Sequence, residues 1–258
     1  MMHVTLPNLT GIFLVYFLVF ARVGGMVMLM PGVGESSVPA RVRLIFALGL
    51  TIVMAPSVAS AYPNTNPLSL VALIILLVQE MVVGVLLGTM ARMITSALSV
   101  GGYLIANQIG LSMAQTVDPS SSSSNDQGAV LGNFLSMIGL VAVFATNLHY
   151  LLIGAVSGSY HIIPPGGKLP TADMAELAIR FTSAAFVLGF QLAGPFLVFG
   201  FVVNLAFGVL SRLMPQLQIF FVVMPINVLI GFSLLALFLG TMITLYLDFF
   251  SSQMGMLQ

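Results

Sequence analysis

The chain has 258 residues, of which 59% are hydrophobic and only 5% charged. Soluble domains carry about 25% charged side chains, so this composition cannot build a water-facing surface and reads as an integral membrane protein. Seven basic residues balance seven acidic ones, with a single lysine, Lys168. This leaves no basic patch to displace counterions, and no nucleic-acid binding is expected. Cysteine is absent, which excludes disulfides, thiolate metal sites and thiol nucleophiles. His3, His149 and His161 stand far apart without a metal-ligand spacing, so neither a metal nor a cofactor is expected.

Six hydrophobic blocks follow in chain order, predicting an all-α membrane protein of about six long, kinked helices in a single integral domain over 1–258. The first runs from about Leu9 to Met30 and ends at Pro31-Gly32. It lacks the basic region and small-residue cleavage site of a signal peptide and is expected to be a retained helix. In block two, Ser36-Ser37-Val38-Pro39 predicts a serine cap with proline opening a helix that ends near Ala61. Block three, Leu68 to Gln115, would extend roughly 72 Å as a helix, against a bilayer core of roughly 30 Å. It must break, tilt or leave the membrane.

Asp118-Pro119 and the serine run after it form a polar loop, and block four then spans Gly128 to about Tyr160. Pro164-Pro165-Gly166-Gly167 closes it. Block five runs from Thr171, read as an N-cap with Asp173 and Glu176 in the first turn, to Arg212. The sixth block starts near Gln218, passes Pro225 and ends around Phe250. Internal Gly and Pro residues, and small-residue pairs such as Gly84–Gly88 and Gly128–Gly132, suit rods that pack closely on other helices of this chain or of a partner. Arg41 and Arg43 in the first turn favour a cytoplasmic location for it, a reading that inverts downstream if block three crosses twice.

Three sets of residues interrupt the apolar pattern. Glu80 and Arg92 both lie in block three, roughly 18 Å apart along a helix, and cannot pair within it. Each is either a structural charge with a partner elsewhere, such as Arg22, Arg41 or Arg43 for Glu80 or a group on a neighbouring subunit, or part of a proton or ion relay. The stretch from Asn107 to Asp118 alternates amides with apolar residues and fits either a pore-lining loop or an ordinary surface loop. Arg212, Pro215, Gln216 and, further on, Pro225 place a cation, helix breakers and an amide between two spans. Met26, Met28 and Met30 alternate at the end of block one, as core filler or a constriction lining. No nucleophile and base, and no acidic pair, stand together, so a catalytic role is not expected.

Taken together, these stretches resemble the FliR/SctT family, the large single-copy component of the type III export gate. Arg22 through Pro31 and Ser37-Val38-Pro39-Ala40-Arg41-Val42-Arg43 look like its first turn. Gln108-Ile109-Gly110-Leu111-Ser112, followed by Val117-Asp118-Pro119, looks like its plug loop. Asn147-Leu148-His149 and Pro164-Pro165-Gly166-Gly167 fit later turns, and Arg212 through Phe220 with Pro225 looks like the most specific motif. The resemblance implies hairpins of helices within a helical hetero-oligomer built with FliP- and FliQ-type membrane proteins and other export-apparatus subunits. Unfolded proteins would pass through its centre across the bacterial inner membrane. It also implies a pore-plugging role for Gln108, Gly110, Leu111, Ser112, Met113, Thr116, Val117 and Asp118, with Met113 and Thr116 where many relatives carry bulky aromatics. The short tail and the Val117-Asp118-Pro119 form look closer to the flagellar branch than to the injectisome branch. The rival reading is a secondary transporter coupled through Glu80, which would call for an inverted repeat that the sequence does not display.

Overall fold

A computed structural model describes residues 9–62, 69–111, 127–213 and 219–257. Among the described residues the fold is all-α: α1 (Leu9–Leu29), α2 (Ala40–Val58) with a 3-10 turn at Ala59–Ala61, α3 (Leu70–Gln108), α4 (Gln127–Ala145), α5 (His149–Ile162), α6 (Thr171–Leu213) and α7 (Ile219–Gly255). Five helices are long and apolar enough to cross a bilayer. The bent pair α4–α5 makes a sixth candidate. At 39, 43 and 37 residues, α3, α6 and α7 are continuous rods of roughly 55–65 Å. Of the three outcomes open to block three, a break is not the one taken between Leu70 and Gln108, which form one helix.

Three boundaries differ from the sequence reading. The fourth block is two helices, broken where the resemblance, though not the block reading, placed a turn at Asn147-Leu148-His149. Asn147 at the break adopts φ 60°, a left-handed conformation that Asn tolerates better than most residues. The residue preceding α2 is Pro39 itself, and no side chain caps the helix, so neither Ser36 nor Ser37 serves as the cap. Thr171 is already the first residue of α6, and its first turn holds Asp173 but not Glu176.

The chain divides into two compact units, and each is described by itself. The first draws on Met1–Met93, Asn147–Thr182 and Ser251–Gln258. Its α1 buries Leu18, Val19, Arg22, Val23, Met26 and Val27, the spacing of one helical stripe, and Met30 just past the helix end is buried too. Met28 points away from that stripe, 45% exposed, so the three alternating methionines do not line one surface. Glycines let α1 and α3 meet backbone to backbone. A Cβ at Gly84 would strike the Arg22 carbonyl, and one at Gly88 would lie 2.8 Å from the Met26 carbonyl oxygen. On the other side, a Cβ at Gly25 would sit 3.2 Å from the Met81 oxygen. The Gly84–Gly88 pair therefore serves contact within this chain.

The second unit comprises Ile94–Thr146 and Ser183–Phe250. Here α3 and α4 approach at Gly102, whose Cβ position is 2.6 Å from the Gly132 Cα, and at the Ser99–Ser136 hydroxyl pair, 2.7 Å apart. Gly139 on α4 fits against Leu98 and the Tyr246 ring, and Gly101 faces Gly189 on α6. Lipid-soluble helices gain little from burying apolar surface against one another, so close approach and dispersion must supply the packing. Hydroxyls cause no penalty because they bond to carbonyls of their own helix, as Thr51, Thr89, Thr182 and Ser233 do. Many large apolar side chains remain uncovered, among them Phe13, Val53, Ile179 and Leu237. A water-soluble monomer does not leave such surface open.

Candidate functional site

Two polar constructions stand out within these apolar rods, one in each unit. In the first, Arg22 of α1 and Glu80 of α3 form an ion pair with both side chains fully buried. The pairing is bidentate: Nε donates to Glu80 Oε2 at 2.6 Å and Nη2 to Oε1 at 3.1 Å. Nη1 donates to Ser159 Oγ at 3.0 Å, and Nη2 also reaches the Ile163 carbonyl at 3.1 Å. Four of the five guanidinium N–H groups thus have oxygen partners. The Tyr160 ring covers the face of the cation, its centroid 3.9 Å from the guanidinium carbon. Beyond it lies Tyr62, with ring centroids 6.0 Å apart. Just past the second span, Tyr62 has its phenol pKa pushed above the ordinary value, first by burial and then by the neighbouring Tyr160, so it stays neutral.

The residue before Glu80 extends this construction. Gln79 Nε2 donates to the Gly167 carbonyl at 3.2 Å and approaches the Pro164 carbonyl at 3.4 Å. One turn of α3 therefore holds the end of α5 through Arg22 and the proline-glycine turn through Gln79. An isolated buried charge in a low-dielectric interior is costly, and a saturated bidentate pair is the arrangement that offsets that cost.

In the second unit, α3 ends in a corner at the start of the segment that resembles a plug loop. Ile109 is fully buried and its amide closes the last helical turn on the Ile105 carbonyl at 3.0 Å. Gly110 follows at φ +81°, where a side chain would be strained, and stops the helix. The Gln108 carbonyl accepts from Asn227 Nδ2 of α7 at 3.4 Å. Leu111 is half-buried. Ser112, Met113, Thr116, Val117 and Asp118 lie outside the described residues.

Of the other residues singled out in the sequence, Arg92 lies on an exposed face of α3. Arg212 is exposed in the last turn of α6, and Pro225 is exposed within α7. Pro215 and Gln216 fall outside the described residues. The fold brings Glu80 to Arg22 and Gln108 to Asn227. Sequence reasoning did not single out Gln79, Ser159, Tyr160 or Asn227. The available signal was a polar residue in an apolar run, as at Gln79 and Asn227. Ser159 and Tyr160 gave none. Among the described residues no group of His, Asp or Glu could hold a metal ion.

The comparisons with known proteins bear on the whole chain. A profile of the family described as bacterial export proteins, family 1, matches residues 13–253. The chain is 42% identical over 231 residues to the flagellar biosynthetic protein FliR of Caulobacter vibrioides, covering 90% of each chain. It is 34% identical over 222 residues to the protein of the same name from Escherichia coli, covering 86% of this chain and 82% of that one. The Bacillus subtilis FliR is 27% identical over 250 residues, covering 95% and 93%. With a profile match from the first span to the last helix, and overlong apolar rods as its framework, this chain belongs to the family of bacterial export proteins, family 1.

Proposed function

We propose that this protein is a component of the flagellar type III export gate in the bacterial inner membrane. It assembles there with FliP- and FliQ-type proteins and other export-apparatus subunits into a channel for unfolded flagellar proteins. The observation that carries this reading is the family match over residues 13–253, on a chain whose longest helices exceed a bilayer core by nearly twofold. Rods of that length, with apolar side chains left uncovered, suit burial among other subunits better than a bundle standing alone in lipid. The two units act as one export-gate domain. The protein supplies a conduit and contributes no bond-making chemistry of its own.

Within that conduit, the segment from Gln108 to Asp118 occludes the resting pore. Arg22–Glu80 is a structural lock rather than a relay, because both carboxylate oxygens are engaged by one guanidinium with no exposed surface. Extraction in mild detergent tests the assembly reading. A large hetero-oligomer containing the FliP- and FliQ-type proteins is expected, whereas a monomer or small homo-oligomer competent for solute transport would overturn it.

A further inference from the structure

We propose that Asn227, Gly200 and Gly231 form a socket that seats the corner Gln108-Ile109-Gly110 at the end of α3, and that the proposed occlusion depends on this seating. Three consecutive residues of the corner each meet a matching feature on α6 or α7. The Gln108 side-chain amide occupies the space where a Cβ on Gly200 would stand. Its main-chain carbonyl, one of those a helix end leaves without an internal partner, faces the Asn227 amide at 3.4 Å. Ile109 fills the space above Gly231. At Gly110 the Cβ position is 3.3 Å from the same Asn227 nitrogen, so a side chain there would crowd the donor.

Asn227 is an odd choice if stability alone mattered. Its Oδ1 is buried without a partner among the described residues, which is unfavourable in an apolar segment. An aliphatic side chain on α7 would avoid that penalty but would offer nothing to the Gln108 carbonyl. The amide nitrogen is the atom that both holds Gln108 and borders Gly110. Asn227 is therefore a positioning residue for the corner, and the two glycines admit the corner's side chains.

The seating role rests on the proposed occlusion by residues 108–118, and the experiment separates the two. Because the chain has no cysteine, Leu111→Cys provides a single thiol at the corner. Its labelling by a maleimide is measured in the complete complex with its co-expressed partners, alongside potassium efflux from the cells. Asn227→Leu is expected to raise the labelling rate roughly fivefold, the shift that one lost hydrogen bond produces, and to increase efflux. Asn227→Gln retains a donor amide and should give the smaller increase of the two. Unchanged labelling in Asn227→Leu overturns the socket, as does equal labelling in the Leu and Gln variants. Faster labelling without efflux, when deletion of residues 112–124 does leak, overturns the seating role. If that deletion does not leak in assembled complexes, the occlusion reading fails while the labelling result still decides the socket. Should Asn227→Leu prevent assembly, Gly231→Ala replaces it, since its new Cβ displaces Ile109, with the same expected and overturning results.

Discussion

The two units of this molecule solve one problem in different ways. Apolar rods in lipid have little reason to prefer one register over another. In the first unit, charge is added to the glycine notches at Gly84 and Gly88: the Arg22 guanidinium meets Glu80, Ser159 and Ile163, and a shift by one residue would separate the buried ions. In the second unit, the contacts described are neutral, consisting of glycine notches at Gly102, Gly132 and Gly139, a serine pair and the amide at Asn227. Charge gives a steep, all-or-none lock, whereas notches give a graded fit that can be loosened in small steps. The corner that leads into the proposed plug belongs to the second unit. The graded fit holds that corner.

Removing one ion should have the largest effect. Glu80→Leu leaves Arg22 buried without a counter-charge, a loss of about 3–5 kcal/mol. Membrane levels of the protein should fall sharply, and levels close to wild type would break the comparison. Next comes Gly84→Ala in the first unit, where the added methyl runs into the Arg22 main chain and no flexible side chain can yield. Overpacking of this kind costs about 1–3 kcal/mol, and Gly102→Ala should cost a similar amount in the second unit. Thermal denaturation of the purified complexes would compare them directly. Tyr160→Leu removes the ring over the guanidinium and should cost about 1 kcal/mol, visible as a small fall in melting temperature without loss of export.

The smallest effect is expected from replacing both ions together. Arg22→Met with Glu80→Leu substitutes apolar side chains for a buried pair, a change that is often neutral or stabilising. Export should persist once assembly has been verified by co-purification. Complete loss of export from fully assembled complexes would instead assign the pair a relay role.

Much of this was legible in the sequence, for reasons that differ by residue. The scarcity of charge forces the membrane class, and the block boundaries near Ala61, Thr171 and Gln218 follow from proline and polar punctuation. The break at Asn147 escaped the block reading because no glycine or proline marks it, and only the resemblance placed a turn at Asn147-Leu148-His149, where a left-handed Asn stands. The serines before α2 resemble caps, yet Pro39 occupies the position just before the first helical residue and has no side-chain oxygen to offer the helix. Arg22 could be named only alongside Arg41 and Arg43 as a candidate for Glu80, because 58 positions separate the pair and no local pattern encodes a contact at that distance. Asn227 stands out as an amide in an apolar run, but its role could not be read for a related reason, since its partner lies 119 positions earlier and on the main chain. Ser112 to Asp118, Pro215 and Gln216 fall outside the described residues.

The neighbouring grips of Gln79 and Glu80 bear on how this gene can change over time. Successive positions on an α-helix are rotated by about 100°, so inserting or deleting one amino acid just ahead of them would swing both side chains away from their targets together. Indels in the first turns of α3 should consequently be purged even where point replacements are freely accepted. Related chains aligned through this stretch are expected to differ in letters while agreeing in spacing.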